Sequence, residues 1–453
     1  MPVSLTKRTG RATLAAMAVP AAVPSTGLHA GLRADHTRLV GRLEELAAVG
    51  DTGDGGCCRL ALTDEDRRGR DLVVAWMEDL DLAVSVDAIG NVVGLWDVGD
   101  GAPVMTGSHI DTVRTGGRYD GNYGVLAGLE VVETLKQAGV EPARPLAVAF
   151  FTDEEGSRYA PDMLGSLVFV GGMALEEALD AQGIDGSRLG DELERIGYAG
   201  PLPCPSLTPH AFVELHIEQG PVLEAEGITI GAVTGVQGIS WQELTITGQS
   251  NHAGTTPMDH RHDPGFVAAA LTAEVRQLAL ELGGHQVGTV GRFRVHPDLV
   301  NVVPASATLT VDLRNTDESA LQDAERRLAE RAGALAAAEG VTVSARSLAR
   351  FGPVEFDGRV VDLVEATARR LGHSVRRMPS GAGHDAQMLA RVCPTGMVFV
   401  PSEKGISHNP AEHTHPEQLG AGVDVLLHVL LDLAGGALGQ ELNSASGDAS
   451  GSA

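Results

Sequence analysis

The sequence predicts an α/β fold interrupted by a second, self-contained α+β unit, on three observations. Up to residue 237, short apolar runs ending in polar, glycine-rich turns alternate with helical stretches, the order that builds a sheet covered by helices. From 238 to 347 the order becomes β-α-β-β-α-β, the ferredoxin-like arrangement. From 348 the strand–helix alternation resumes, so the middle unit reads as an insertion in a discontinuous domain over 31–237 and 348–435.

Leu39, Leu43, Leu46 and Ala47 share one face of a helix over 35–49. Thr63 before Asp64, Glu65 and Asp66 predicts a capped second helix within 60–82. Residues 83–96 alternate and contain glycine, a strand–turn–strand pattern. A helix is expected over 121–138, and the apolar run 145–151 suits a buried strand. Residues 173–197 read as helical and charged, 201–209 as a proline-rich connector, and 211–220 as strand then loop. In the insertion, strands are expected at 239–248, 286–295, 306–314 and 341–348, with helices at 263–282 and 317–340. A helix at 357–372, a strand at 397–401 and a helix at 417–433 close the pattern. Residues 1–30 read as a disordered leader and 436–453, small and polar, as a disordered tail.

Composition narrows the function. The net charge of −26 argues against nucleic-acid binding, which needs clustered cations. Lysine is nearly absent, confined to Lys7, Lys136 and Lys404, so arginine carries almost all the positive charge. Cys57 and Cys58 are adjacent and Cys204 and Cys393 isolated, without zinc-finger or disulfide spacing. The cytoplasm is the expected compartment. No apolar run approaches the roughly 20 residues of a membrane span, so no membrane partner is expected.

The chemistry begins at 101–124, where an apolar run ends at Gly107 and His109, Asp111 and a glycine-flanked Asp120 follow. Alternation puts His109 and Asp111 on one face, and a carboxylate beside a histidine can orient the ring towards a metal. Glu154 and Glu155 follow the strand at 145–151, where α/β ligand sites gather. Taken alone a Glu-Glu pair is more often a solvated turn, and the position at a strand's end is what favours function. His216, in VELHIEQG, lies at another strand's end and fits either a ligand or a satisfied histidine. His408 has a small Gly-Ile-Ser approach, and His413 and His415 nearby could bind metal or decorate a loop. His109, Asp120, Glu155, His216 and His408 together exceed what one tetrahedral zinc takes. They suit two metals sharing a carboxylate, with Asp120 the natural bridge.

The segments GSHIDTV, YDGNYG, FTDEEGSRY, ELHIEQGPVLE, TGQSNHAGTTPM, NVVP, DLRNTD, SGAGHDAQ and GISHNPAE, in that order, resemble the amidase/hydantoinase/carbamoylase branch of the M20 metallopeptidase-like family. The resemblance implies a mixed-sheet metallohydrolase catalytic domain with an inserted ferredoxin-like lid and dimerisation domain at 238–347. It implies those five metal ligands, Glu154 as general base and Asp111 behind His109. His252 matches a histidine that reaches across a dimer to steady the oxyanion. Asn301 and Arg314 match the carboxylate-binding groups, a task suited to arginine's planar fork. Gln219 and the turn Gly381-Ala382-Gly383-His384-Asp385 resemble the elements that hold the ureido group.

The implied enzyme is a homodimer binding two divalent ions per subunit, Zn, Mn, Co or Ni. Its substrate is a small molecule with a carboxylate and a ureido or amide group, and the implied reaction cleaves the carbamoyl C–N bond of N-carbamoyl-L-amino acids. Allantoate amidohydrolase, β-ureidopropionase, N-acyl-amino-acid amidase and a metal-dependent binding protein without catalysis are the alternatives.

Overall fold

The computed structural model describes His29 and residues 31–435; the expectations for the rest of 1–30 and for 436–453 lie outside them. The chain opens with α1 (His36–Ala47), α2 (Asp64–Asp79), β1 (Ala83–Val86), β2 (Val92–Trp96), β3 (Val104–His109), α3 (Asn122–Ala138) and β4 (Leu146–Phe151). Then come α4 (Leu164–Phe169), α5 (Leu175–Leu179), α6 (Leu189–Ile196), β5 (Ala211–Ile217), α7 (Val222–Glu226) and β6 (Ile230–Val236). The middle unit holds β7 (Gly238–Thr247), β8 (Asn251–His252), α8 (Pro264–Leu282), β9 (Val287–His296), β10 (Val302–Val303), β11 (Ser306–Asn315), α9 (Glu318–Glu339) and β12 (Thr342–Phe351). The chain closes with β13 (Val354–Glu355), α10 (Gly358–Arg370), β14 (Val375–Ser380), α11 (Asp385–Leu389), β15 (Thr395–Val400) and α12 (Pro416–Gly435).

A mixed sheet in the order β1-β2-β4-β3-β5-β15-β6-β13, with β14 on β6, forms the larger unit. Strands β3, β4, β5 and β15 are buried throughout, as expected of parallel strands with both faces covered. Their register aligns His109 with Phe151 and His216 with Phe399, so these parallel strands end along one edge. Helices α3, α10, α11 and α12 pack on this sheet. Asp35 and Thr63 cap α1 and α2 by accepting N–H groups of the first turn, which satisfies otherwise orphaned donors. By length and composition α12 passes for a membrane span, unlike the expectation that no such run exists, yet it is 78% buried over its most apolar part. It packs against α3, α10 and β15 as a core helix.

The middle unit is antiparallel, in the order β12-β7-β11-β9, with α8 and α9 packed together on it. Along β11, burial alternates strictly, so Leu309, Val311 and Leu313 meet Leu271, Val275 and Leu328 in a core separate from the larger one. Strand β12 runs to Phe351, past the expected end at 348, and there Arg350 pairs with Glu318 and Glu325 of α9.

Three local expectations differ. The helix foreseen over 173–197 is two short ones, because a turn through Gly183 and Gly186 separates them. Strand β6 fills a stretch with no predicted element. Strand β14 (VRRMPS) hides behind its arginines, which pair outward with Glu226, Glu365 and Asp362.

Candidate active site

His109 closes β3, and its Nδ1 lies 2.9 Å from the Asp111 carbonyl, which leaves Nε2 facing Asp120 and Glu154. The backbone carbonyl, not the expected carboxylate, therefore orients the ring. The Asp111 carboxylate, with Oδ1 3.9 Å from His109 Nδ1, accepts the N–H groups of Glu154 and Glu155, each at 3.3 Å, and fixes the turn after β4. His216, near the end of β5, is held at Nδ1 by the Ile217 carbonyl at 2.8 Å. At Nε2 it accepts the Gly121 N–H.

Asp120 stands between two groups of side chains. Its Oδ1 lies 3.6 Å from His109 Nε2 and 3.2 Å from His216 Nε2. Its Oδ2 lies 3.3 Å from His408 Nε2, which is also 3.2 Å from Glu155 Oε2. In each group, His109–Asp120–His216 and Asp120–Glu155–His408, the ligating atoms lie within 4.8 Å of one another. Glu154 Oε2 points at His109 Nε2 from 3.4 Å. A third grouping, Glu214–His216–His384, is otherwise engaged. Glu214 accepts from Ser108 Oγ and the Ala386 N–H, and His384 Nε2 pairs with Ser380 Oγ at 2.8 Å.

Electrostatics fit a cationic occupant. Burial pushes the carboxyls of Glu154, Asp153, Asp385 and Glu214 up, and Asp111 up to about 6. Burial also opposes a charged Asp120, but its three histidine partners overcome this and hold it well below the usual carboxylate range. His384 is driven down by burial and then by His216. So many buried acids beside imidazoles form an oxygen and nitrogen donor set suited to divalent ions, one that costs less when a cation supplies the balancing charge.

Of the expected substrate contacts, Gln219, Arg314, Gly383 and His384 line one cleft with Glu154, Glu155 and His408. Gln219 donates to Asp120 Oδ2 at 2.7 Å. Arg314 crosses from β11 to donate to the Gly381 carbonyl at 2.8 Å, pairs with Asp312 and lies over Trp241. The structure does not bring His252 or Asn301 into this cleft. They sit on the β8–β10 ribbon, where the Ala253 N–H donates to the Asn301 carbonyl, and both are exposed. His252 Nδ1 is capped by the N–H groups of Gly254 and Thr255, which leaves Nε2 outward.

Sequence reasoning missed two residues that position the site. Arg59, fully buried, donates to the Ile110 carbonyl and to Asn122 Oδ1, tying both ends of the 109–122 stretch together. Glu412 accepts the N–H groups of Tyr119 and Asp120 and bonds Ser407, whose hydroxyl also reaches Asp120 Oδ2. Its burial, and then Asp120, push it up to about 7. Neither had a local signal, because both act across long sequence separations. Asp153, Gln219 and His408 also adopt positive φ without being glycine, strain of the kind that collects at functional sites.

Gly121, at φ +65, needs its missing side chain, since a Cβ there would lie 2.4 Å from the His109 ring. Gly121→Ala is expected to displace His109 and to lose bound metal, beyond the roughly 1–3 kcal/mol cost of a non-glycine residue held at φ +65, ψ −50. Metal content after dialysis checks this, and unchanged content contradicts it.

The sequence profile described as peptidase family M20/M25/M40 matches residues 105–432. An N-carbamoyl-L-amino-acid amidohydrolase of Rhizobium meliloti is 42% identical over 405 residues, which cover 89% of this chain and 97% of that protein. A ureidoglycolate hydrolase of Arabidopsis thaliana is 35% identical, covering 92% of this chain and 90% of that protein. The crystal structure of a hydantoinase/carbamoylase family amidase from Burkholderia multivorans superposes with a TM-score of 0.84 at 46% identity, over 89% of this chain and 98% of that one. Given a profile match across most of both halves of the larger unit, and near full-length relatives, the chain belongs to peptidase family M20/M25/M40, among its amidohydrolases.

Proposed function

We propose that this chain hydrolyses the carbamoyl C–N bond of N-carbamoyl-L-amino acids, with two divalent ions held by His109, Asp120, Glu155, His216 and His408. The observation that supports it most is Asp120, one oxygen turned to His109 and His216 and the other to His408. The relative at 42% identity named for this activity supports the substrate. The family is metal-dependent, and bound ions supply the charge that polarises a carbonyl and acidifies water.

The chain's own groups carry the rest. Glu154 takes a proton from the attacking water and returns it to the departing amine. Water adds to the carbamoyl carbon, the bond to the amino-acid nitrogen breaks, and the carbamate decomposes to carbon dioxide and ammonia. Gln219 and the 381–384 turn orient the ureido group. Arg314 exchanges its contact with Asp312 for the substrate carboxylate. Removing it in Arg314→Ala is expected to raise KM about 10–100-fold with a smaller change in kcat, the loss of a charged hydrogen bond. An unaltered KM removes Arg314 from the site.

His252 and Asn301 complete the site from a second copy. Residues 238–347 form the lid and dimerisation unit, and its exposed Val287 and Phe293 supply apolar surface for that contact. The larger domain comprises 31–237 and 348–435. Cleft closure accompanies binding.

The relative at 35% identity makes ureidoglycolate the second substrate to weigh, since it too joins a ureido group to a carboxylate. Free amino acid and ammonia are measured from N-carbamoyl-L-amino acids, ureidoglycolate, allantoate, N-carbamoyl-β-alanine and N-acetyl amino acids. The reading expects the highest kcat/KM on an N-carbamoyl-L-amino acid. A higher value on a ureide or an N-acetyl substrate contradicts it.

A further inference from the structure

The loop joining β15 to α12 carries His408, but its far end bears metal-binding groups that the reaction does not use. Glu412 and Thr414 are buried there, while His413 is half-buried and His415 exposed. Thr414 is anchored by its hydroxyl on the Pro401 carbonyl at 2.9 Å, and Glu412 turns to Asp120. Beside these anchored residues the two imidazoles face Glu403 and each other, and His413 also meets the Tyr119 ring edge to face at 6.0 Å. The Glu403 N–H donates to the His413 carbonyl at 2.8 Å, which fixes the acid beside them.

The geometry points to a separate site for a divalent cation of the zinc class, formed by Glu403, His413 and His415. The ligating atoms of all three lie within 4.8 Å of one another. The rings meet edge to face, with centroids 5.1 Å apart at 88°, and no hydrogen bond engages either imidazole among the described residues. His109, His216 and His384, by contrast, have ring nitrogens tied to backbone or hydroxyl groups. Two imidazoles and one carboxylate are a donor set zinc accepts with a position left for water. The surrounding charge favours a cation too, at −26 for the chain.

Lys404 is the competitor. Its Nζ lies 2.9 Å from Glu403 Oε1, but the side chain is 73% exposed and free to swing into solvent. A bound ion would join Glu403 to His413 and His415 and so clamp the loop that sets His408, Ser407 and Glu412 around Asp120. The inference does not depend on the proposed reaction, because it concerns side chains outside that machinery.

The test compares the metal-loaded full-length protein with its His413→Asn/His415→Asn double variant, both titrated with Zn2+ alone and counted by equilibrium dialysis and elemental analysis. The wild type is expected to hold one more equivalent per chain than the variant, with amidohydrolase activity retained in both. Equal equivalents would overturn the site. Lys404→Ala, which removes the competing ammonium, is expected to bind the additional ion several-fold more tightly. Unchanged binding there would remove Glu403 from the ligand set and overturn the site as described.

Discussion

Glu154→Gln is expected to lower kcat by about a hundred- to ten-thousand-fold, the usual contribution of a general base, while leaving the bound metal in place. The side chain is buried and its backbone is pinned by the Asp111 carboxylate, so the isosteric amide occupies the same space. Burial raises the Glu154 carboxyl, His109 opposes this, and Asp385, Glu155 and Asp120 add to the rise, which moves a glutamate towards proton exchange at neutral pH. It belongs to neither ligand group around Asp120, so proton transfer and metal binding separate in this variant. Steady-state kinetics with elemental analysis on the same preparation reads both. Retained turnover would remove Glu154 as the base.

Asp120→Ala is expected to fail in the opposite way, losing metal first and activity with it. Both groups of candidate ligands share this one carboxylate, whose two oxygens face His216 and His408 respectively. Its loss also frees Gln219 and Ser407, which bond its second oxygen. The variant should keep at most one ion per chain where the wild type keeps two, with turnover reduced to background. Two ions retained in the variant would show that Asp120 is not shared.

Much of this arrangement was legible because it is local. Strand β4 read as an unbroken apolar run, and the polar residues at the ends of β3, β4 and β5 stood out against the apolar stretches before them. His109, Glu154–Glu155 and His216 all sit at such ends, and register then brings them to one sheet edge. The β-α-β-β-α-β order of the middle unit was legible for the same reason, through strict alternation in strands such as β11. What was not legible depends on long-range contact. Arg59 and Glu412 hold the 109–122 stretch from outside it, and nothing beside them in sequence marks that role. Strand β14 was masked by arginines that serve surface ion pairs. His252 and Asn301 were recognisable by motif, yet the fold sets them on a ribbon outside their own cleft.

The central claim is that hydrolysis requires two ions held through Asp120. Chelator-treated protein, verified free of metal, is titrated with a divalent ion while ammonia release from an N-carbamoyl-L-amino acid and bound ion per chain are followed together. The account predicts no turnover without metal and recovery that is complete only when His109, Asp120, Glu155, His216 and His408 hold a second equivalent. Full turnover in the metal-free protein, or full recovery at one equivalent, would contradict it.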